Sequence, residues 1–299
     1  MAKKNKNEKK DKDAENESAS ELMVSVRDLL RVEPGFELGA VDARRIVAGP
    51  AGKADARAAA AALEPEVTEW QERLFAESKG GGKRRLLIVL QGMDTSGKGG
   101  AAKAIDRLSE PIGLRMTSFG PPTRDEKRRG YLWRINRALP PVGSIGIFDR
   151  SHYEDVLIVR VRNLVPEDVW STRYDEINEW EKKLTDGGLV FLKCMLHISK
   201  EEQQQRLLDR LDDPTKRWKY NPGDVDERQL WDQYQEAYQV ALTRCSTAHA
   251  PWYVIPADRK WHRDWLLSNL VAETLREMKP QYPPTDFDVE VETARVRAS

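Results

Sequence analysis

Three observations in this sequence predict an α/β fold with helices on both faces of a central parallel sheet. The first is an uncharged run of Leu, Ile and Val over 86–90, the pattern of a strand buried on both faces. The second is the recurrence of similar cores at 115–119, 144–149, 189–198 and 252–255, with helical patterns between them. Strands that alternate with helices build a parallel sheet. The third is a glycine-rich turn that joins the first strand directly to a helix former, Ala101-Ala102-Lys103-Ala104.

Taken in order, residues 1–20 hold six Lys, five acids and no Leu, Ile, Val, Phe, Trp or Tyr. Apart from Met1 this stretch has no large apolar side chain, so it cannot offset its ordering entropy and is expected to be a disordered, solvated tail. Residues 21–80 read as a helical N-terminal extension packed on the sheet, with Ala58–Ala62 a strong helix former and Pro65 suited to a first helical position. The main domain is expected over 81–279. Its helical patterns lie at about 98–109, 124–138, 151–162, 167–185, 200–212, 226–247 and 260–278. Residues 280–299 contain Pro280, Pro283 and Pro284, show no helical period, and read as a trailing segment.

Composition narrows the function. With 49 Lys plus Arg against 49 Asp plus Glu, the formal net charge is zero, which argues against whole-chain attraction to nucleic acid or to an anionic membrane. The longest run without a charged residue, 245–257, falls far short of the roughly 20 apolar residues that span a bilayer. The Lys-rich N-terminus lacks the apolar core of a secretory signal. Cys194 and Cys245 are the only cysteines and lack metal-ligand spacing, so a reduced, cytoplasmic protein is expected.

The turn reads Gly92-Met93-Asp94-Thr95-Ser96-Gly97-Lys98-Gly99-Gly100, a G-x-x-x-x-G-K motif in its strand–loop–helix context. Gly92 and Gly97 allow backbone conformations closed to other residues, so that successive N–H groups can face one phosphate. Lys98 adds a positive charge at a helix N-terminus that already favours an anion. Phosphate binding is therefore assigned to Gly92, Thr95, Ser96, Gly97, Lys98, Gly99 and Gly100, with Lys103 on the following helix. The usual Ser or Thr after the lysine is replaced by Gly99, so another oxygen must hold a metal. Asp94 is the nearest, and an acid inside a phosphate loop implies a divalent cation between it and the phosphate.

The strand over 145–148 ends in Asp149, where a second metal-organising carboxylate sits in a P-loop fold. Arg150 follows and can reach a phosphate oxygen. Further on, Arg206 and Arg210 stand four apart on one helix face. Pro214 then ends the helix, and Lys216, Arg217 and Lys219 crowd a short stretch closed by Asn221-Pro222-Gly223. This is the composition of a lid over about 206–224 that brings positive charge to a transferring phosphoryl and excludes water. Glu154 is assigned with Arg206, Lys216, Arg217 and Lys219 to the nucleotide side.

Three blocks in order carry a resemblance: the phosphate loop just quoted, Gly146-Ile147-Phe148-Asp149-Arg150-Ser151-His152-Tyr153-Glu154-Asp155-Val156, and Asp212-Asp213-Pro214-Thr215-Lys216-Arg217-Trp218-Lys219. Together with 250–258 they resemble the polyphosphate kinase 2 family. The resemblance implies a P-loop kinase-like three-layer fold and Mg²⁺-dependent phosphoryl transfer between inorganic polyphosphate and nucleotides, with Mn²⁺ as an alternative metal. It implies Asp94 and Asp149 as metal-organising carboxylates, Lys98 as the phosphate-loop lysine, and Arg150 and Arg210 as the arginines on the transferring phosphoryl. Residues 151–156 resemble the branch acting on both AMP and ADP, although that branch often carries Asn where this chain has Asp149. A homo-oligomer, dimer or tetramer, is expected.

Two rivals fit parts of the pattern. An ATP-dependent nucleoside monophosphate or small-molecule kinase shares the phosphate loop but predicts Ser or Thr after Lys98. A P-loop regulatory nucleotide-binding module fits the charged tail but leaves the lid arginines without a purpose. A nucleic-acid-binding module lacks interleaved basic and aromatic stripes.

Overall fold

The computed structural model describes residues 25–299, so the tail expected over 1–20 lies outside the described residues. The elements in chain order are α1 (Val26–Leu30), α2 (Lys53–Ala61), α3 (Glu64–Lys79), β1 (Arg85–Gln91), α4 (Lys98–Asp106), β2 (Leu114–Ser118), α5 (Arg124–Lys127), α6 (Leu132–Ala138) and β3 (Ile145–Asp149). A 3₁₀ turn over His152–Asp155 leads to α7 (Ile158–Val161), α8 (Glu167–Trp170), α9 (Arg173–Asp186), β4 (Leu189–His197) and α10 (Lys200–Asp212). After a further 3₁₀ turn, Arg217–Lys219, come α11 (Gly223–Gln229), α12 (Trp231–Cys245), β5 (Trp252–Pro256), α13 (Lys260–Met278) and α14 (Val289–Ala298).

The five strands form one parallel sheet in the order β2-β3-β1-β4-β5. β1 is central and buried from Leu86 to Gln91, as an uncharged run covered on both faces requires. The register pairs Leu90 with Asp149. The end of β3 therefore stands beside the start of the phosphate loop, at the carboxyl edge where α/β sheets bind ligands. The expectation that β2 matches the other buried cores is corrected. It is an edge strand, and Arg115 and Met116 on it are exposed.

Helices α2, α3 and α4 pack on α13, and α1 packs on β5; α9 packs on α12 and β4. The extension is tied to the sheet edge as well, since Val32 N–H donates to the Trp252 carbonyl (2.9 Å) and Arg31 bridges Tyr253 antiparallel. This covers part of an edge that would otherwise be open to foreign pairing. Among the described residues, no helix is long and apolar enough to cross a membrane.

Several expected helices are broken. The pattern over 124–138 forms α5 and α6 on either side of Gly130, a poor helix interior residue. The pattern over 151–162 yields a 3₁₀ turn and the single-turn α7, that over 167–185 parts at Ser171-Thr172, and that over 226–247 begins at Gly223 and parts at Leu230. The trailing segment, expected without helix, holds α14. Asp288 caps it by accepting from Glu290 N–H (2.9 Å) and Val291 N–H (3.2 Å). It buries no side chain, so no apolar stripe announces it.

His262 on α13 locks the extension in place by accepting from Val47 N–H at Nε2 (3.0 Å). Burial lowers its pKa to about 4, so the folded protein holds a neutral imidazole through a range where the unfolded chain is protonated. Its contribution is complete above pH 6.5 and is lost as pH falls from 6.5 to about 4. The loss is up to about 3 kcal/mol, to be read from urea midpoints across that window. The dependence should flatten in His262→Gln.

Candidate active site

The phosphate loop is built on strained but satisfied backbone. Gly92 has φ +148°, and a Cβ there would lie 2.6 Å from the Leu196 carbonyl. Thr95 at +62° and Gly97 at +98° are left-handed. The loop carbonyls are gripped from outside: Gln203 donates to that of Asp94 (3.0 Å), Arg206 to those of Thr95 and Ser96 (both 2.9 Å), and Arg263 to that of Gly97 (3.2 Å). Because each peptide is planar and trans, the outward carbonyls of Asp94, Ser96 and Gly97 turn the N–H groups of Thr95, Gly97 and Lys98 inward, the arrangement of an anion-binding concavity, whereas Ser96 N–H donates to the Met93 carbonyl (3.0 Å). Thr95 Oγ1 and Ser96 Oγ are buried with no partner in the protein, as groups awaiting a ligand would be.

Lys98 opens α4. Its Nζ folds back to donate to the carbonyls of Gly92 (2.8 Å) and Met93 (3.3 Å). Burial pushes its pKa down and the Asp94 carboxylate opposes that shift. Asp94 Oδ1 accepts from Arg150 Nη2 at 2.8 Å. Arg150 follows β3 in a left-handed conformation, φ +65°, which costs a non-glycine residue about 1–3 kcal/mol.

A cavity of about 850 Å³ opens over the loop, and cations outnumber carboxylates on its wall eight to four. That excess suits a polyanion. The wall brings together Asp94, Thr95, Gly97, Lys98, Gly99, Gly100 and Lys103 with Asp149, Arg150 and Arg210, and it includes Lys216 and Lys219. Gly92 and Ser96, also expected to bind phosphate, do not line it. Arg210 Nη1 donates to Asp224 Oδ2 (3.1 Å) and to the Lys219 carbonyl (3.0 Å), which joins α10 to the stretch that follows.

Three placements differ from expectation. Arg206 touches the cavity, but it is a buried pillar rather than part of a mobile lid. Besides the two loop carbonyls, it donates to those of Ala257 (2.6 Å) and Asp258 (3.1 Å) and pairs with Glu202 (2.8 Å). Arg217 turns back to the Leu211 carbonyl (2.8 Å) and does not line the cavity. Glu154 sits behind the wall near Arg150 and Lys98, its carboxyl pKa raised by burial against the pull of those cations. Sequence reasoning missed Asp209, Asp224 and Lys260 on the wall and Gln203 and Arg263 behind it. Asp224 was findable as an acid beside the cationic stretch. The others lie on helices whose local pattern gives no signal.

Asp94 and Asp149 are hard oxygen donors on one cavity wall, and among the described residues no group of three or more His, Cys, Asp and Glu forms a protein-only metal cage. Mg²⁺ is held in this manner, by one or two carboxylates with water and substrate phosphate oxygens completing the octahedron. The donor set therefore fits a divalent cation shared with substrate.

The polyphosphate kinase 2 family model matches residues 51–283. An AMP/ADP-polyphosphate phosphotransferase of Meiothermus ruber is 49% identical over 255 residues, covering 85% of this chain and 94% of the relative. An ADP-polyphosphate phosphotransferase of Rhodopseudomonas palustris is 37% identical over 231 residues, 73% of this chain and 78% of the relative. The crystal structure of polyphosphate kinase 2 from Arthrobacter aurescens TC1 superposes with a TM-score of 0.90 at 44% identity, over 93% of this chain and 99% of that one. A P-loop kinase-like sheet, a cationic cavity over its phosphate loop and this extent of likeness make the chain a member of the polyphosphate kinase 2 family.

Proposed function

We propose that this protein catalyses reversible, Mg²⁺-dependent transfer of a terminal phosphoryl group between inorganic polyphosphate and nucleotides, AMP to ADP and ADP to ATP, with GDP to GTP as a related acceptor step. The observation that carries this reading is the convergence of Lys98, Arg150 and Arg210 with the carboxylates Asp94 and Asp149 on one cavity wall. The relative named for both AMP and ADP, matched over 85% of the chain, supports the dual acceptor.

The phosphate loop binds the anhydride chain through its N–H groups and Lys98. Arg150 and Arg210 share the negative charge on the equatorial oxygens as the phosphoryl passes in line from donor to acceptor oxygen. Asp94 and Asp149 are the residues that would hold Mg²⁺, which supplies charge neutralisation between the two substrates. No protein nucleophile is required. One phosphoanhydride is exchanged for another, so direction follows mass action. Of the lid expected over about 206–224, the part from Arg210 onward acts as the lid, with Arg210, Lys216 and Lys219 as its cavity-facing charges, and Lys103 extends the cationic wall. The exposed apolar side chains of Phe287, Val289, Val291 and Val296 support a homo-oligomer, and the two buried free cysteines support a cytoplasmic location.

The test offers polyphosphate and Mg²⁺ with AMP or ADP separately and no ATP. ADP from AMP and ATP from ADP are the expected products. Product from ADP alone would remove the AMP step. No product with either, while ATP is spent on another acceptor, would overturn the reading in favour of an ordinary ATP-dependent kinase.

A further inference from the structure

Behind the site lies a group of buried polar side chains that phosphoryl transfer does not use. Glu181 on α9 and Lys193 on β4 are fully buried and paired at 2.6 Å. Lys193 Nζ also donates to Tyr153 OH (2.8 Å) and to the Cys245 carbonyl at the end of α12 (2.8 Å), so all three of its donors are engaged. Tyr153 OH donates to Glu181 Oε1 (2.9 Å), and His152 Nε2 lies 3.2 Å from the same oxygen. Burial pushes the His152 pKa down against the pull of Glu181, and because a carboxylate oxygen only accepts, the imidazole Nε2–H is the donor in that contact. Burial opposes ionisation of Glu181, but Lys193 and His152 outweigh it and hold the carboxyl below its ordinary value.

Stability alone is a weak account of this group. Withdrawing two charges from water costs several kcal/mol per ion, and apolar side chains of similar volume often serve a core as well. What sets the group apart is its attachment. Its two anchored residues, His152 and Tyr153, come two and three positions after Arg150, whose left-handed backbone (φ +65°) persists only where its surroundings over-determine it. On the near side, Arg150 N–H donates to the Leu90 carbonyl (3.0 Å). Ser151 Oγ accepts from Gln91 Nε2 and from Tyr153 N–H, both at 3.2 Å. On the far side the Glu181–Lys193 pair holds the start of the turn through His152 and Tyr153, and Arg173 holds its end by donating to the Asp155 carbonyl and Oδ1 (both 3.0 Å).

We infer that Glu181 and Lys193 are positioning residues for Arg150: by clamping Tyr153 and His152 they hold the strained turn that aims the guanidinium at Asp94 and the cavity. The inference rests on the proposed role of Arg150 in phosphoryl transfer.

The test is a double-mutant cycle on the full chain, read as kcat and KM for polyphosphate-dependent ATP formation from ADP. Tyr153→Phe and Glu181→Gln should each lower kcat by about 10- to 100-fold, the scale of a small misplacement of a reacting group. KM for the nucleotide should move by less than about twofold, because the interaction lost belongs to the transition state. Added to Arg150→Ala, the same substitutions should lower kcat by less than about twofold further, since a device that positions an absent side chain has nothing left to position. If Glu181→Gln does not fold, Tyr153→Phe, which removes one hydroxyl, decides alone. Unchanged kcat in folded Tyr153→Phe, or a full additive loss in the Arg150→Ala background, would overturn the inference and leave the function standing. Wild-type kcat in Arg150→Ala itself would overturn the role of Arg150 and the inference with it.

Discussion

Arg150→Ala is expected to lower kcat for polyphosphate-dependent transfer by about a thousandfold, with a much smaller change in KM for the nucleotide. The size follows from what the guanidinium can do in a partly closed cavity. In the proposed transfer it would carry charge and several donors to a phosphoryl whose negative charge spreads over three oxygens at the transition state, and arginines in that role contribute at least this much. Its present partner, Asp94 at 2.8 Å, keeps it aimed before substrate arrives. Removing it also leaves Asp94 without its counter-charge beside a phosphate site. Arg150→Lys should recover only a minor part of the loss, because an ammonium cannot present two parallel donors. Initial rates at saturating polyphosphate and ADP give the comparison. A loss confined to KM would place Arg150 in ground-state binding alone.

Arg206→Met is expected to destabilise the fold by about 4 kcal/mol, with a fall of roughly 6 °C in Tm. Four carbonyls accept from this side chain, two on the phosphate loop and two just after β5. A methionine fills the space and satisfies none of them, so buried acceptors would be left unpaired at about 1–3 kcal/mol each, offset by relaxation. Urea unfolding measures the loss directly. The outcome separates two roles for one residue. A lid arginine would lose kcat at unchanged stability, whereas a pillar under the loop loses stability and takes phosphate affinity with it.

Arg206 also shows where sequence reasoning stops. Arg206 and Arg210 lie four apart on one helix, and nothing in their local pattern distinguishes them. Only packing of α10 against the loop and the end of β5 sends one inward to carbonyls and leaves the other facing the cavity. The central strands were legible because burial on both faces leaves an uncharged run, as at Leu86 to Leu90. The phosphate loop was legible because its conformation demands glycine at fixed spacing. β2 was placed correctly along the chain but not in exposure, since an edge strand with five residues carries too little pattern to reveal which neighbour it lacks. Glu181 and Lys193 were invisible for a different reason. Each looks like an ordinary charged residue in its own segment, and their pairing depends on contacts with Tyr153 and Cys245, far away in sequence.

The fold-back of Lys98 onto the carbonyls of Gly92 and Met93 has a consequence for how this cavity responds to ionic strength. An ammonium that has already shed its water and found internal acceptors exchanges partners when phosphate arrives, and it gathers few counterions beforehand. Lys216 and Lys219, by contrast, are exposed to solvent, and charges so placed are screened within a Debye length of about 8 Å at physiological salt. One cavity thus holds two kinds of positive charge. Added salt weakens the capture of the polyanion at the rim and hardly reaches the lysine at the floor, so rising ionic strength slows encounter while the chemical step keeps its rate.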